Sequence, residues 1–304
     1  MDMDLVYCAA SLYSIPSQSS FTLCGKKKMK ILNGTSYEPV NCCIYCGSTE
    51  KLSKEHILPF GLNGSSTLLK ASCNKCANIT GEIERRLLRG EFKSVRIYRE
   101  LRSRRKHKNS KKEEKLNLTI NGQKQSISLP INEFPILLYF HKFGIPGVLS
   151  GESLEGAIKI KGTVTILYGP NPKEVMKKYN ATDIEVSTDT DPVSFARMIA
   201  KIAYSFAYAE GELNKIDDPS PLLSELLNEN GVIGKYVGTL DKPLQSHDDV
   251  LHRLLVHTDN DKGLLIGEVQ LFADSPTPCY GVILGKLKKT HNKSVEPTPL
   301  SCAV

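Results

Sequence analysis

Apolar residues recur along this chain with two periods, and the changes between them mark out its elements. Ile83, Leu87 and Leu88, then Phe92, Val95, Tyr98 and Leu101, fall three or four positions apart on either side of Gly90. That spacing lays one apolar stripe along a helix over 80–103, with Gly90 as the place where it bends or splits. A second stripe, Phe195, Met198, Ile199, Ile202 and Phe206, predicts a helix over 192–210. Pro192 suits its first turn, Asp191 can cap it and Gly211 stops it. A shorter helix is predicted over 222–228, ended by Asn230-Gly231. Between 116 and 129 the period drops to two: Leu116, Leu118 and Ile120, a turn at Asn121-Gly122, then Ile127 and Leu129. This is the pattern of a hairpin. Residues 157–168 predict another hairpin about Lys161-Gly162. Further strands are predicted near 236–240, 250–257, 264–272 and 279–287, with 259–263 as a connecting turn. Upstream, a short strand over 52–57 is broken by Pro59 and Gly61, turns at Asn63-Gly64 and returns over 68–71.

Cysteine spacing adds chemistry to that upstream pair of strands. Nine cysteines are present, and five of them lie within 42–76, whereas Cys8, Cys24, Cys279 and Cys302 are scattered singly. Cys43-Ile-Tyr-Cys46 and Cys73-Asn-Lys-Cys76 are two Cys-x-x-Cys turns, each able to offer two sulfurs to one metal ion. Together they complete the tetrahedral four-thiolate shell that Zn²⁺ prefers. A disulfide framework would spread its pairs over the fold, and no secretory signal is evident at the acidic start, so the clustering favours zinc. Cys42 is an alternative to Cys43, but only Cys43 stands two residues from Cys46. Glu55 and His56 lie between the two turns on the short strand, where alternation sends them to opposite faces. Histidine ionises near neutrality and suits a general base.

The set as a whole, Cys-x-x-Cys, Ser53-Lys54-Glu55-His56-Ile57-Leu58-Pro59 and Ala71-Ser72-Cys73-Asn74-Lys75-Cys76, resembles the zinc-containing branch of the HNH endonucleases over roughly residues 40–105. The resemblance implies a small zinc-stabilised ββα module in which Cys43, Cys46, Cys73 and Cys76 hold a structural zinc. It also implies a catalytic Mg²⁺ or other divalent ion gripped between hairpin and helix, with His56 as general base and Glu55 as a ligand. Two positions depart from the family pattern. No asparagine stands on the return strand near Thr67-Leu68, and Ala77 occupies the helix position of the family's ligand. Asn78, one residue later, is the candidate substitute, with Glu82 and Glu84 as alternatives.

Charge points the same way. Residues 85–112 carry thirteen Lys or Arg against two Glu, a charge of +11, so the rest of the chain contributes −4 to the net +7. Arg85, Arg86, Arg89, Lys93, Arg96, Arg99, Arg102, Arg104 and Arg105 are the candidate nucleic-acid contacts, since guanidinium forks suit phosphates. DNA is favoured over RNA as the partner. The expected architecture is α+β: a leader over 1–40, the HNH-like module with its basic helix over 41–112, an α+β domain with an antiparallel sheet over 113–290, and a tail over 291–304. Met29 is an alternative start. No run approaches the ~18 apolar residues of a membrane span, and the chain reads as cytoplasmic. His247, His252 and His257 read as structural or exposed, and neither a nucleophile elbow nor a phosphate loop is present. The rival reading is a zinc-dependent nucleic-acid-binding protein without catalysis. A third is that the C-terminal part is a protein-interaction or effector-sensing element controlling the nuclease.

Overall fold

Strands β1 (Ser36–Tyr37), β2 (Ser53–His56) and β3 (Thr67–Ser72) open the fold as a small sheet in the order β1-β3-β2, with β2 antiparallel to β3 and β1 parallel to it. The structure is a computed structural model describing residues 34–103, 113–151, 154, 156–186 and 189–289. Most of the expected leader, Arg104, Arg105 and the expected tail lie outside the described residues. The β2–β3 connection is tight because Asn63 takes a left-handed backbone and Gly64 passes against the Leu58 carbonyl. A Cβ at Gly64 would lie 1.9 Å from that oxygen, so no other residue fits there without moving the loop.

Helix α1 (Asn74–Arg89) follows β3 directly and begins six residues earlier than the apolar stripe predicts. Cys73 supplies the start: its backbone is extended and its carbonyl accepts the Ala77 N–H at 2.8 Å. Gly90 does split the helix, and α2 (Lys93–Tyr98) follows. The hairpin β4 (Glu113–Ile120) and β5 (Gln123–Pro130) forms around Asn121-Gly122, both with positive φ as a two-residue turn requires. The second expected hairpin does not form. Strand β6 (Ile136–Phe143) pairs instead with β7 (Ile160–Tyr168), across the short helix α3 (Gly147–Ser150). Gly162 faces Lys142 where the register slips, so Lys161-Gly162 marks a bulge inside one strand and not a turn between two. Helix α4 (Pro172–Tyr179) then leads to β8 (Ala181–Glu185), which pairs with β4.

Helix α5 (Pro192–Ala209) keeps its predicted cap, with Asp191 Oδ1 accepting the Ser194 N–H at 2.9 Å. It is buried at every position from Ser194 to Ala207 and packs against α1, α6 (Ser220–Leu227) and the main sheet. That sheet is antiparallel and runs β10 (His252–Asp259), β11 (Leu264–Leu271), β12 (Tyr280–Lys286), β9 (Val237–Thr239). Gly267 on β11 lets the helix approach, since a Cβ there would meet the Ala203 Cβ at 2.7 Å. Phe195 lies 5.2 to 6.2 Å from the rings of Phe92, Phe140, Phe143 and Tyr280, so α5 gathers side chains from three other segments. One buried cluster runs from Cys43 to Leu284. The fold is thus α+β with antiparallel sheets. Among the described residues no helix is long and apolar enough to cross a membrane.

Two buried titratable groups set opposite pH limits on this core. Burial behind α1 pushes the Glu91 carboxyl up to about 8. Burial holds His252 down at about 4, as a neutral ring whose Nδ1 accepts the Phe272 N–H at 3.2 Å and whose Nε2–H donates to the Leu62 carbonyl at 2.9 Å. A raised carboxyl contributes stability below its unfolded pKa that is lost as pH rises through the folded one; a depressed imidazole loses its contribution as pH falls. Glu91→Gln is therefore expected to stabilise the protein at pH 8.5 by on the order of 2–4 kcal/mol and to leave it unchanged near pH 4, as read by denaturant melts.

Candidate metal centre and the Glu55-His56 strand

The first Cys-x-x-Cys turn is shaped by backbone hydrogen bonds. Cys43 donates to the Ser48 carbonyl at 2.8 Å, and Gly47, left-handed, donates back to Cys43 at 2.9 Å. The Ile44 N–H pins the turn onto β3 through the Ala71 carbonyl at 2.9 Å. The second pair straddles the start of α1, Cys73 as its cap and Cys76 in its first turn. A helix N-terminus favours negative charge and so favours thiolates. The four sulfurs of Cys43, Cys46, Cys73 and Cys76 all lie within 4.8 Å of one another, and Cys46 and Cys73 are 3.6 Å apart. A tetrahedral zinc with Zn–S near ~2.3 Å would set neighbouring sulfurs ~3.8 Å apart. The donor set thus fits a metal ion, and its all-thiolate character suits zinc. Cys43, Cys73 and Cys76 are buried and Cys46 is exposed. The hydrogen bond from Cys76, then backbone N–H groups, draw the Cys43 thiol down to about 4, while Cys76 is driven up as the partner keeping its proton.

β2 carries Glu55 and His56 to opposite faces, as strand alternation requires. Glu55 is buried, and its Oε1 lies 2.7 Å from the Nζ of Lys201 on α5. The same ammonium is 3.0 Å from Glu84 Oε1 on α1 and donates to the His56 carbonyl. Burial opposes the charge on Lys201, but Glu55 and Glu84 outweigh it and hold its pKa above the usual lysine value. The divalent-ion site expected at Glu55 and Asn78 therefore does not fit: Glu55 faces a lysine, and Asn78 is exposed, away from the Cys76, Thr80, Ile83 and Leu87 stripe. Glu84, one of the two alternatives, is the α1 residue that meets Glu55. Glu82, the other, pairs with Arg85 at 2.7 Å and Arg86 at 3.1 Å.

Among the described residues, five of the seven basic side chains of the stretch are engaged within the protein. Arg86 also reaches Glu229 at 2.9 Å, and Lys93 reaches Glu114 at 2.9 Å. Arg96 donates to the carbonyls of Gly61 and Leu88, each at 2.7 Å. Arg99 clasps Asp274 and lies over the rings of Tyr168 and Phe272. Arg89 and Arg102 face solvent. The Arg102 guanidinium stands 5.9 Å over Phe60, whose ring meets His56 edge-on at 5.8 Å, so Phe60 contacts both.

Lys201, Tyr204 and Ser205 went unmarked in the sequence reading, yet all three reach this region. The Tyr204 hydroxyl donates to the Ile44 carbonyl at 2.7 Å, and Tyr45 and Ser205 hydroxyls are 3.2 Å apart. The available signal was a lysine between the apolar residues Ala200 and Ile202 of a helix. His257, expected to be structural or exposed, is buried, and its partner was not foreseen. On β10 and β11, His257 Nε2 lies 3.0 Å from buried Glu268, beside a cavity of about 260 Å³ lined by Arg253, Glu268, Gln270 and Cys279. The chain matches no family model, no curated protein and no solved structure.

One zinc per chain is expected by elemental analysis, and Cys76→Ser is expected to lose it. Because a structural zinc contributes on the order of 10 kcal/mol, chelation should expose the amides of residues 42–76 to exchange well before those of β11. Equal protection of both regions after chelation would remove the metal from the argument.

Proposed function

We propose that this protein is a zinc-structured endonuclease of the HNH type, hydrolysing nucleic-acid phosphodiesters with His56 as general base. One observation carries the reading: the four-cysteine cluster closes the antiparallel β2–β3 pair and the start of α1 into one unit, with His56 turned outward on β2. Zinc, when bound, fixes the Cys43 turn to the first turn of α1. His56 accepts the proton of the attacking water, and Arg102, packed like His56 on Phe60, offers a phosphate a guanidinium fork. Phe60, between them, gives a base a ring to stack on.

The second reading, a nucleic-acid-binding zinc protein without catalysis, draws support from the Glu55–Lys201 pair and from Ala77 in place of a helix ligand. Plasmid cleavage separates the two. His56→Ala is expected to lower the rate by ~10²–10⁴ with zinc content and folding intact. Wild-type protein that binds duplex DNA but leaves it whole under every divalent ion would establish the second reading.

Arg102 and Arg99 are expected to behave differently in spite of their spacing. Arg102→Ala should weaken duplex binding and flatten the log–log salt dependence by about 0.9, one phosphate contact. Arg99→Ala should leave that slope unchanged and lower stability, because it removes the partner of Asp274. Equal slopes for wild type and Arg102→Ala would take Arg102 out of the interface.

A further inference from the structure

We propose that Lys201 is a resident cation, whose ammonium occupies the position between Glu55 and Glu84 where the HNH resemblance implies a divalent ion, and keeps such an ion out. The inference rests on the reading above only for where the ion would be. An ammonium has three N–H donors, and three close acceptors meet this one, Glu55 at 2.7 Å, Glu84 at 3.0 Å and the His56 carbonyl, with the Ile57 carbonyl farther off at 3.5 Å. Lys201 is 1% exposed and Glu55 6%, so the nitrogen is enclosed by the groups it bonds.

Displacement by a metal is opposed by geometry as well as charge. Mg²⁺ requires six oxygens at ~2.0–2.1 Å and usually keeps several waters. Here the carboxylates are spaced for hydrogen bonds, and Lys201 and Glu55 are buried while Glu84 is partly exposed. The lysine itself is buried between Ala200 and Ile202, both fully buried. The arrangement also positions the base. Lys201 bonds the backbone of His56 from the inner side of β2, leaving the imidazole on the outer side against Phe60. The charge that would otherwise arrive with a metal comes from α5, so β2, α1 and α5 are joined at one nitrogen.

Manganese uptake by the zinc-loaded full-length chain, counted by the loss of the free Mn²⁺ electron-paramagnetic-resonance signal, tests this without reading cleavage. Failure of the nuclease reading and failure of this one are therefore distinguishable. Wild-type protein is expected to take up no Mn²⁺ through about 1 mM, the weak end of carboxylate cation sites. Lys201→Met is expected to take up one per chain, and Lys201→Met with Glu55→Gln none. The proposal is overturned if wild type binds one Mn²⁺ that Glu55→Gln abolishes, or if folded, zinc-loaded Lys201→Met binds none. Should Lys201→Met fail to fold, wild type and Glu55→Gln decide alone: no uptake by wild type supports the proposal, and uptake lost in Glu55→Gln overturns it.

Discussion

A lysine ammonium inside the most deeply buried of the described helices is stable only if its partners are already in place, and this requirement organises β2 and α1 around α5. Removing a charge from water costs several kcal/mol, and close opposite charges offset that only with good geometry. At Lys201 the offset comes from two carboxylates on two different elements and a carbonyl from β2. None of the three alone would suffice. β2 must sit at the depth of Glu55, and α1 must be rotated so that Glu84 faces inward. Breaking such a buried group by removing one partner costs about 3–5 kcal/mol, a large part of a typical domain's stability.

The four cysteines and α5 divide the work of holding this region. The sulfur cluster fixes local geometry: it ties the Cys43 turn to the α1 N-terminus across β3, over distances a loop could not define. It says nothing about where that unit sits on the rest of the chain. That second task falls to Tyr204, Ser205 and Lys201, which present hydroxyls and an ammonium to the Ile44 carbonyl, Tyr45 and Glu55. Polar contacts suit this task because they have direction. An apolar face alone would let the small sheet slide on the helix, whereas three directional contacts along α5 set one position.

The legible features were those whose signal is local. Cys-x-x-Cys spacing identified the sulfur set, the 3.6-residue stripe with Asp191 and Gly211 gave α5, and Asn121-Gly122 gave the first hairpin. What escaped was partnership. The alternation over 157–168 says that one face is half-buried but not what covers it, so β7 was assigned to itself when its partner was β6. β6 was overlooked because Ile136-Leu-Leu-Tyr-Phe-His-Lys-Phe is nearly continuous in apolar character, which hides a period of two. Glu55 read as a metal ligand for the same reason. Its partner lies 146 positions away on a helix whose periodicity reports burial and not chemistry.

The basic stretch shows how far a charge count can mislead about a surface. Thirteen cations in 28 residues suggest a continuous phosphate-binding face, yet their environments divide them. Arg85 and Arg86 pair with Glu82 in water, where such pairs contribute little and remain open to exchange with a phosphate. Arg99 differs: it and Asp274 are each about three-quarters covered, and two aromatic rings lie beneath the guanidinium. Releasing it would strand a carboxylate against the core, so this arginine is scaffold. Arg96 is scaffold too, filling the carbonyls left by the end of α1 and by the turn after Pro59. Both tie α2 to the connection after β2 and to the strand ends beyond β11. Among the described residues the stretch therefore presents fewer uncommitted cations than the count suggests, with Arg89 and Arg102 facing solvent.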